Sequence, residues 1–308
     1  MAKFFLYDAT QTNSKAKITT AKLAAMGNII ADTPEFITAK GEDDTTALTL
    51  DGGVIFNVGD SVFISAETDL TVGNLDSGSA FTMGTDYYIY ACDPSAGSET
   101  EDTDEVYLIS ESSTYPDGYD AETSRKIGGF HYGIVRKVAD NHNPVNTDGT
   151  ENGSGWESNV YTGIVPNSVW TLLHRPKCDP AGMVYLGGSL WGDIYLSSDD
   201  GASGLQSAYG ENPITGTESL NWYIAVERAA RVGKRLPTYA EYCAAALGSP
   251  EGQDGNNTYA WSSTGNKART TCGNVKYAVS SFNVRDLVGN VWKWLDELMM
   301  NNTSSDSW

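Results

Sequence analysis

Cysteine is scarce, histidine scarcer, and positive charge is outnumbered two to one in this 308-residue chain. The four cysteines, Cys92, Cys178, Cys243 and Cys272, are too scattered for a disulfide scaffold, and none makes a metal-type pair, so they read as buried thiols. The three histidines, His131, His142 and His174, lack ligand spacing and read as structural. Twenty basic against 40 acidic residues leave a formal charge of −20, which excludes nucleic acid and anionic lipid surfaces as natural partners. No apolar run approaches a membrane-spanning length, so membrane insertion is not expected. The stretch Phe4–Tyr7 is too short for a signal peptide. These absences suit a protein made in the cytoplasm that acts outside it through assembly or lysis.

What the chain has in quantity is glycine and tyrosine, 32 and 17 residues, set among Thr, Ser, Asn and Asp between short apolar runs. That composition predicts a mainly β fold with an α+β C-terminal domain. Residues 1–40 hold one helical pattern, Ile18–Met26 closed by Gly27, and read as a docking and assembly segment. Residues 41–140 read as a β-rich oligomerisation domain, a sandwich or prism. Strands are predicted at and just before it over Glu35–Ala39, Ala47–Leu50, Val54–Val58, Ser61–Ser65, Asp86–Tyr90 and Glu105–Ile109. The acidic run 98–105 reads as a solvated loop, and 141–155 as a linker.

Strand-like runs resume at Ser168–Leu173 and Met183–Leu186, and two helices follow. In Trp222–Val232, Trp222, Ala225, Val226 and Ala229 recur at helical spacing, with Glu227 four residues before Arg231. The next helix opens on the capping box Thr238-Tyr239-Ala240-Glu241, with Pro237 ahead of it and Gly248 behind it.

Three ordered phrases are too specific for generic propensity: Gly233-Lys234-Arg235-Leu236-Pro237-Thr238-Tyr239-Ala240-Glu241-Tyr242, then Tyr259-Ala260-Trp261, then Asp286-Leu287-Val288-Gly289-Asn290-Val291-Trp292-Lys293-Trp294. Together they resemble the formylglycine-generating-enzyme (sulfatase-modifying factor) family over residues 156–308. Gly182–Gly188 is similar to its opening strand and Trp222–Ala225 to its first helix. The resemblance implies a C-type-lectin-like module, two helices on a small twisted sheet. The expected structural signature is Arg235, Pro237, Thr238, Glu241, Trp261, Gly289, Asn290, Trp292 and Trp294. Arg235 is expected to tie loop carbonyls or a carboxylate within the structural core, and Trp261, Trp292 and Trp294 to fill the core. Gly289-Asn290 should turn through positive φ into a strand over Val291–Trp294.

Enzymes of that family hold copper on two cysteines downstream of the last phrase, and this chain reaches Trp308 without them. Cys243 and Cys272 fall elsewhere, so no catalytic residue and no cofactor are expected, and the chain reads as not an enzyme. The module also reads as lacking its final strands, which implies a longer natural protein. Calcium, frequent in the fold, is the one metal to consider, with Asn283, Asp286 and Asn290 as candidate ligands.

Further phrases, Tyr115-Pro116-Asp117-Gly118-Tyr119, Ser124–His131, Ser168-Val169-Trp170, His174-Arg175-Pro176 and Trp191–Leu196, resemble tail-fibre-type and variable receptor-binding proteins of bacteriophages, some diversified by retroelements. The resemblance implies a virion protein that displays the module to a host cell-surface receptor. Its other partners would be virion tail proteins and further copies of itself, as a homotrimer. Arg125, Lys126 and His131 cluster as a candidate subunit contact. The alternatives are a formylglycine-generating-type oxidase cut short and a bacterial surface adhesin, the latter requiring an export signal.

Overall fold

The computed structural model describes residues 29–40, 46–59, 61–94, 106–137, 159–250 and 257–297. The predicted helix at 18–26, the acidic run 98–105, the segment 141–155 and His142 lie outside these residues.

Alternation of apolar and polar residues produces short antiparallel strands. β1 (Ile37–Ala39), β2 (Ala47–Leu50) and β5 (Thr68–Thr71) form a three-stranded sheet in the order β1-β2-β5. β3 (Ile55–Val58) and β4 (Ser61–Ile64) form a hairpin, in which Phe56 and Val58 point into the core while Ile55 and Asn57 are half-buried. The larger sheet contains β6 (Thr85–Cys92), β7 (Val106–Ser110), β8 (Ser124–Arg136), β9 (Val160–Ile164) and β10 (Trp170–Thr171). Its order is β10-β8-β6-β7, with β9 also on β8. Ile37, Leu48 and Leu70 from the first sheet and Ile89, Ile109, Ile127 and Phe130 from the second share one buried core, as in a sandwich.

All six predicted strands from 35 to 109 match within two residues at each end, β6 running on to Cys92. The predicted strand at 168–173 shrinks to Trp170–Thr171 behind a 3-10 turn over Pro166–Ser168. β8 carries no alternation, because its middle is buried on both faces. Glycines permit that burial. A Cβ on Gly129 would lie 2.6 Å from the Tyr87 carbonyl oxygen and 2.7 Å from the Trp170 ring, so Trp170 lies directly over the strand. β9 and β10, both beyond residue 156, hydrogen-bond to β8, so this sheet continues past the expected domain boundary.

At 13 residues β8 is roughly 40 Å long, enough to cross from one core into the next. Ile127 and Phe130 belong to the sandwich core, whereas Val135 packs with Val184, Ile194, Tyr195, Ala245, Cys272 and Val284. Around that second core lie the hairpins β11 (Met183–Gly187) with β12 (Leu190–Asp193), and β13 (Ser197–Asp199) with β14 (Leu205–Ser207). The expected single sheet of the module is thus two separate two-stranded ribbons among the described residues.

Helix α1 (Trp222–Arg231) starts at Asn221, whose side chain accepts from the Ile224 N–H, and buries Ala225 and Ala229. Helix α2 (Tyr239–Ala245) has the predicted box: Thr238 accepts from the Glu241 N–H and Glu241 from the Thr238 N–H. Gly248, at φ 72°, follows it. A one-turn helix, α3 (Ser263–Asn266), comes later. No helix among the described residues is long and apolar enough to cross a membrane.

Several core expectations fail. Trp292 is fully exposed and Trp294 is 48% exposed, while Trp261 is half-buried with its indole N–H on the Ala268 carbonyl. Among the described residues Val291–Trp294 form no strand and pair with no neighbouring one. Of the thiols, Cys92 and Cys272 are buried, Cys178 is half-buried, and Cys243 faces solvent because it lies on the outer side of α2.

Candidate functional site

The two cores are joined by a polar chain. β6 supplies Asp86 and β8 supplies His131, whose Nδ1 lies 3.0 Å from an Asp86 carboxylate oxygen; His131 Nε2 lies 2.9 Å from the Tyr195 hydroxyl, just past β12. The Gly182 N–H donates to the same Asp86 oxygen at 2.9 Å, tying the entry to β11 into the joint. Burial pushes the Tyr195 phenol up, the opposite of activation to a phenolate, so this aspartate–histidine–tyrosine array positions elements. Separations of 45 and 64 residues gave the sequence no local pattern from which to read it.

The charged cluster on β8 is satisfied within the chain. His131 is buried, Arg125 donates to the backbone and side-chain oxygens of Asn57, and Lys126 lies 4.5 Å over the Tyr88 ring. His174 packs edge-on against Tyr185 and tilted against Trp191.

The signature residues divide into a clamp and a loop knot. Arg235 makes a bidentate pair with Glu241, at 2.7 and 2.6 Å, and donates to the Leu236 carbonyl at 3.0 Å. It meets a carboxylate and a carbonyl as expected, but its side chain is 57% exposed, so it clamps the start of α2 from the surface and not from within the core. That pairing and the Thr238 N–H bring Glu241 down to about 2. Pro237 accepts from the Asp296 N–H, and the Glu297 carboxylate receives the Tyr239 N–H, so the last described residues dock on the front of α2.

In the knot, Arg285 is wholly buried and donates to the carbonyls of Gly273, Val275 and Lys276. Gly289 and Asn290 both take positive φ, 77° and 60°, and a Cβ on Gly289 would stand 2.5 Å from the Trp261 carbonyl oxygen. Asn290 accepts from the Thr270 N–H and donates to the Thr270 carbonyl. Asn283 accepts from the Arg136 N–H and donates to Asn167. Asp286 accepts from the Gly273 N–H through one oxygen, its other oxygen has no hydrogen-bond partner, and burial raises its carboxyl.

Asn283, Asp286 and Asn290 therefore do not fit a shared calcium site. Both amide oxygens are engaged by N–H groups of different loops, leaving one carboxylate oxygen where calcium requires six to eight ligands. Among the described residues no group of three His, Cys, Asp or Glu side chains could hold a metal.

Between the clamp, the knot and the β11–β12 ribbon lies an open cavity of about 660 Å³. Leu196, Ile214, Leu236 and Leu287 contribute apolar wall, and Trp191, Trp292 and Trp294 line it as well. Sequence patterning pointed to Trp292 and Trp294 as core, since a Trp-x-Trp phrase looks the same whether its neighbours cover it or leave it bare.

Residues 38–157 match the family model of the Mtd second domain, and residues 191–306 match that of the sulfatase-modifying factor enzyme 1-like domain. The tail fiber receptor-binding protein of Bordetella phage BPP-1 is 29% identical over 245 residues, covering 71% of this chain and 56% of that protein. The chain thus spans about half the length of the curated relative it matches. The Major Tropism Determinant I1 variant structure has 25% identity and a TM-score of 0.66, and the M1 variant 24% and 0.67; each comparison covers 90% of this chain and 70% of the other. The mainly β chain with its C-terminal lectin-like module has the fold of these structures.

Proposed function

We propose that the chain is a receptor-binding protein of a bacteriophage tail fibre, with the lectin-type module holding a recognition surface. The observation that carries this is the order of the two matches, an Mtd-type domain followed by a sulfatase-modifying-factor-type domain, together with the resemblance to a phage tail fiber receptor-binding protein over 245 residues. The module works as scaffold. Its signature side chains clamp a helix start and knot loops together, and the polar chain Asp86–His131–Tyr195 is spent on joining the two cores. The chain acts on the virion, with tail proteins and a host surface receptor as partners and no chemistry of its own. It assembles as a homotrimer, because rotation about a fibre axis presents identical modules outward.

Antibody raised against the purified chain should decorate the tails of particles that encode it and block their adsorption. Particles left undecorated would remove the virion assignment. Light scattering should give three times the chain mass; a monomer at micromolar concentration would remove the trimer alone.

A further inference from the structure

Strand β8 does not stop at the edge of the sandwich. Ile127 and Phe130 lie in the sandwich core, Ile134 packs with Tyr259 and Val279, and Val135 packs with Val184, Ile194 and Val284. One strand thus feeds three buried clusters. Its partner β9 does the same: Ile164 belongs to the sandwich core, Tyr161 packs against the Val135 cluster, and Val160 lies in the cluster of Ile134. Successive side chains of a strand point to opposite faces, so Ile134 and Val135 meet the module on both sides of the ladder. One end of the β8–β9 pair is therefore clasped by the module, while the rest of β8 lies between β6 and β10 in the sandwich sheet.

Backbone freedom at this crossing is used up. His131 and Tyr132 are in register with Asp86 and Thr85 of β6, and Tyr132 through Arg136 are in register with Ile164 through Val160 of β9. A hinge needs a few residues able to change φ and ψ, and a strand held in a ladder along this stretch supplies none. Lys137 and Asn159, on either side of the predicted linker 141–155, are bonded to each other, the Lys137 N–H donating to the Asn159 carbonyl at 2.8 Å. Polar ties run from the pair into the module at separate points. The Arg136 N–H donates to Asn283 at 2.7 Å, and its guanidinium donates to the Gly248 carbonyl behind α2 and to the Ser281 hydroxyl at 3.1 Å. Asn167, in the turn after β9, donates to the carbonyls of Tyr185 at 3.3 Å and Phe282 at 2.9 Å. Turning the module about any one tie would break the others and strip partners from Arg136 and His131, which are 3% and 1% exposed.

We infer that the sandwich and the lectin-type module are one cooperative, hinge-free unit, with the β8–β9 pair as a strut common to both, so that the module neither unfolds nor turns independently of the sandwich. The inference goes beyond host recognition and holds whatever the module binds. Hydrogen exchange of the full 308-residue chain, pulse-labelled across a urea series and read by mass spectrometry, tests it. Peptides from β2 and β6 report the sandwich, and peptides from α1 and from 272–285 report the module. Both sets should unfold at one urea midpoint, coinciding within about 0.2 M. Leu48→Ala, in the sandwich core, should lower the module's midpoint as far as the sandwich's, and Val284→Ala, in the module core, should lower both equally. Should either variant not fold, Ile109→Val and Ile194→Val, in the same two cores, carry the same expectation. Two separate midpoints in the parent chain, or a substitution that moves one region and leaves the other in place, would overturn the inference.

Discussion

The hydroxyl of Tyr195 lies 2.9 Å from Nε2 of His131, and that one contact joins a strand of the sandwich to the lectin-like module. Both side chains are almost completely buried, at 4% and 1% exposure. Removing one partner therefore leaves the other without water to replace it. Tyr195→Phe should cost about 1–3 kcal/mol, read as a lower urea midpoint. An unchanged midpoint would show that this contact adds nothing to the joint beyond its other bonds, such as those of Gly182 to Asp86 and of Arg136 to Asn283.

Acid should weaken the module through its two clamped carboxylates. Arg235 and the Thr238 N–H hold Glu241 at about 2, and Arg269 and Thr215 hold Glu218 at about 2, against 4.5 for an ordinary glutamate. Because the folded values are depressed, the unfolded chain takes up protons first as pH falls. The stabilisation is fully present above about 4.5 and is lost as pH drops toward about 2. In melts across that range, Glu241→Gln should be destabilised at neutral pH and converge on the parent at the acid end. A constant gap at every pH would contradict the assignment.

Arg235→Met should cost less than about 1 kcal/mol, because an exposed ion pair is screened by water. A larger loss in denaturant titration would mean that the guanidinium does more than clamp the front of α2.

Gly289→Ala should be disproportionately harmful. The residue needs φ 77°, and the new methyl would meet the Trp261 carbonyl oxygen at 2.5 Å. A loss of about 2 kcal/mol or more is expected in thermal or urea unfolding. Retention of parental stability would mean that the knot can open without cost.

The tryptophans should separate cleanly. Trp170→Ala removes a ring that is 3% exposed and lies over Gly129, and should cost about 3–5 kcal/mol. Trp292→Ala, at a fully exposed position, should stay within about 0.5 kcal/mol of the parent. Comparable losses at both sites would show that Trp292 is covered in solution.

Chelation should do nothing where a metal is not structural. EDTA should leave the melting temperature unchanged, while Asn283→Ala, which strips the acceptor from the Arg136 N–H, should cost about 1–3 kcal/mol. A drop in melting temperature with EDTA, restored by calcium, would reverse the assignment of the Asn283, Asp286 and Asn290 side chains to loop bonding.

Sequence alone determined what is set by neighbours along the chain. Thr238 and Glu241 are three residues apart, so their reciprocal bonds close without help from elsewhere, and Gly289-Asn290 could be read as a positive-φ turn from residue type. The early strands were legible because each is short and alternates in polarity. Tertiary structure decided the rest. β8 gave no periodic signal because neighbours cover both of its faces, and the Asp86–His131–Tyr195 chain depends on pairings that no spacing announces. The positions of Trp292 and Lys293 on the border of an open cavity, and not inside a core, were likewise settled only by what packs around them. Local hydrogen bonds and turn geometry are written into adjacent residues, whereas burial is a property of the whole assembled chain.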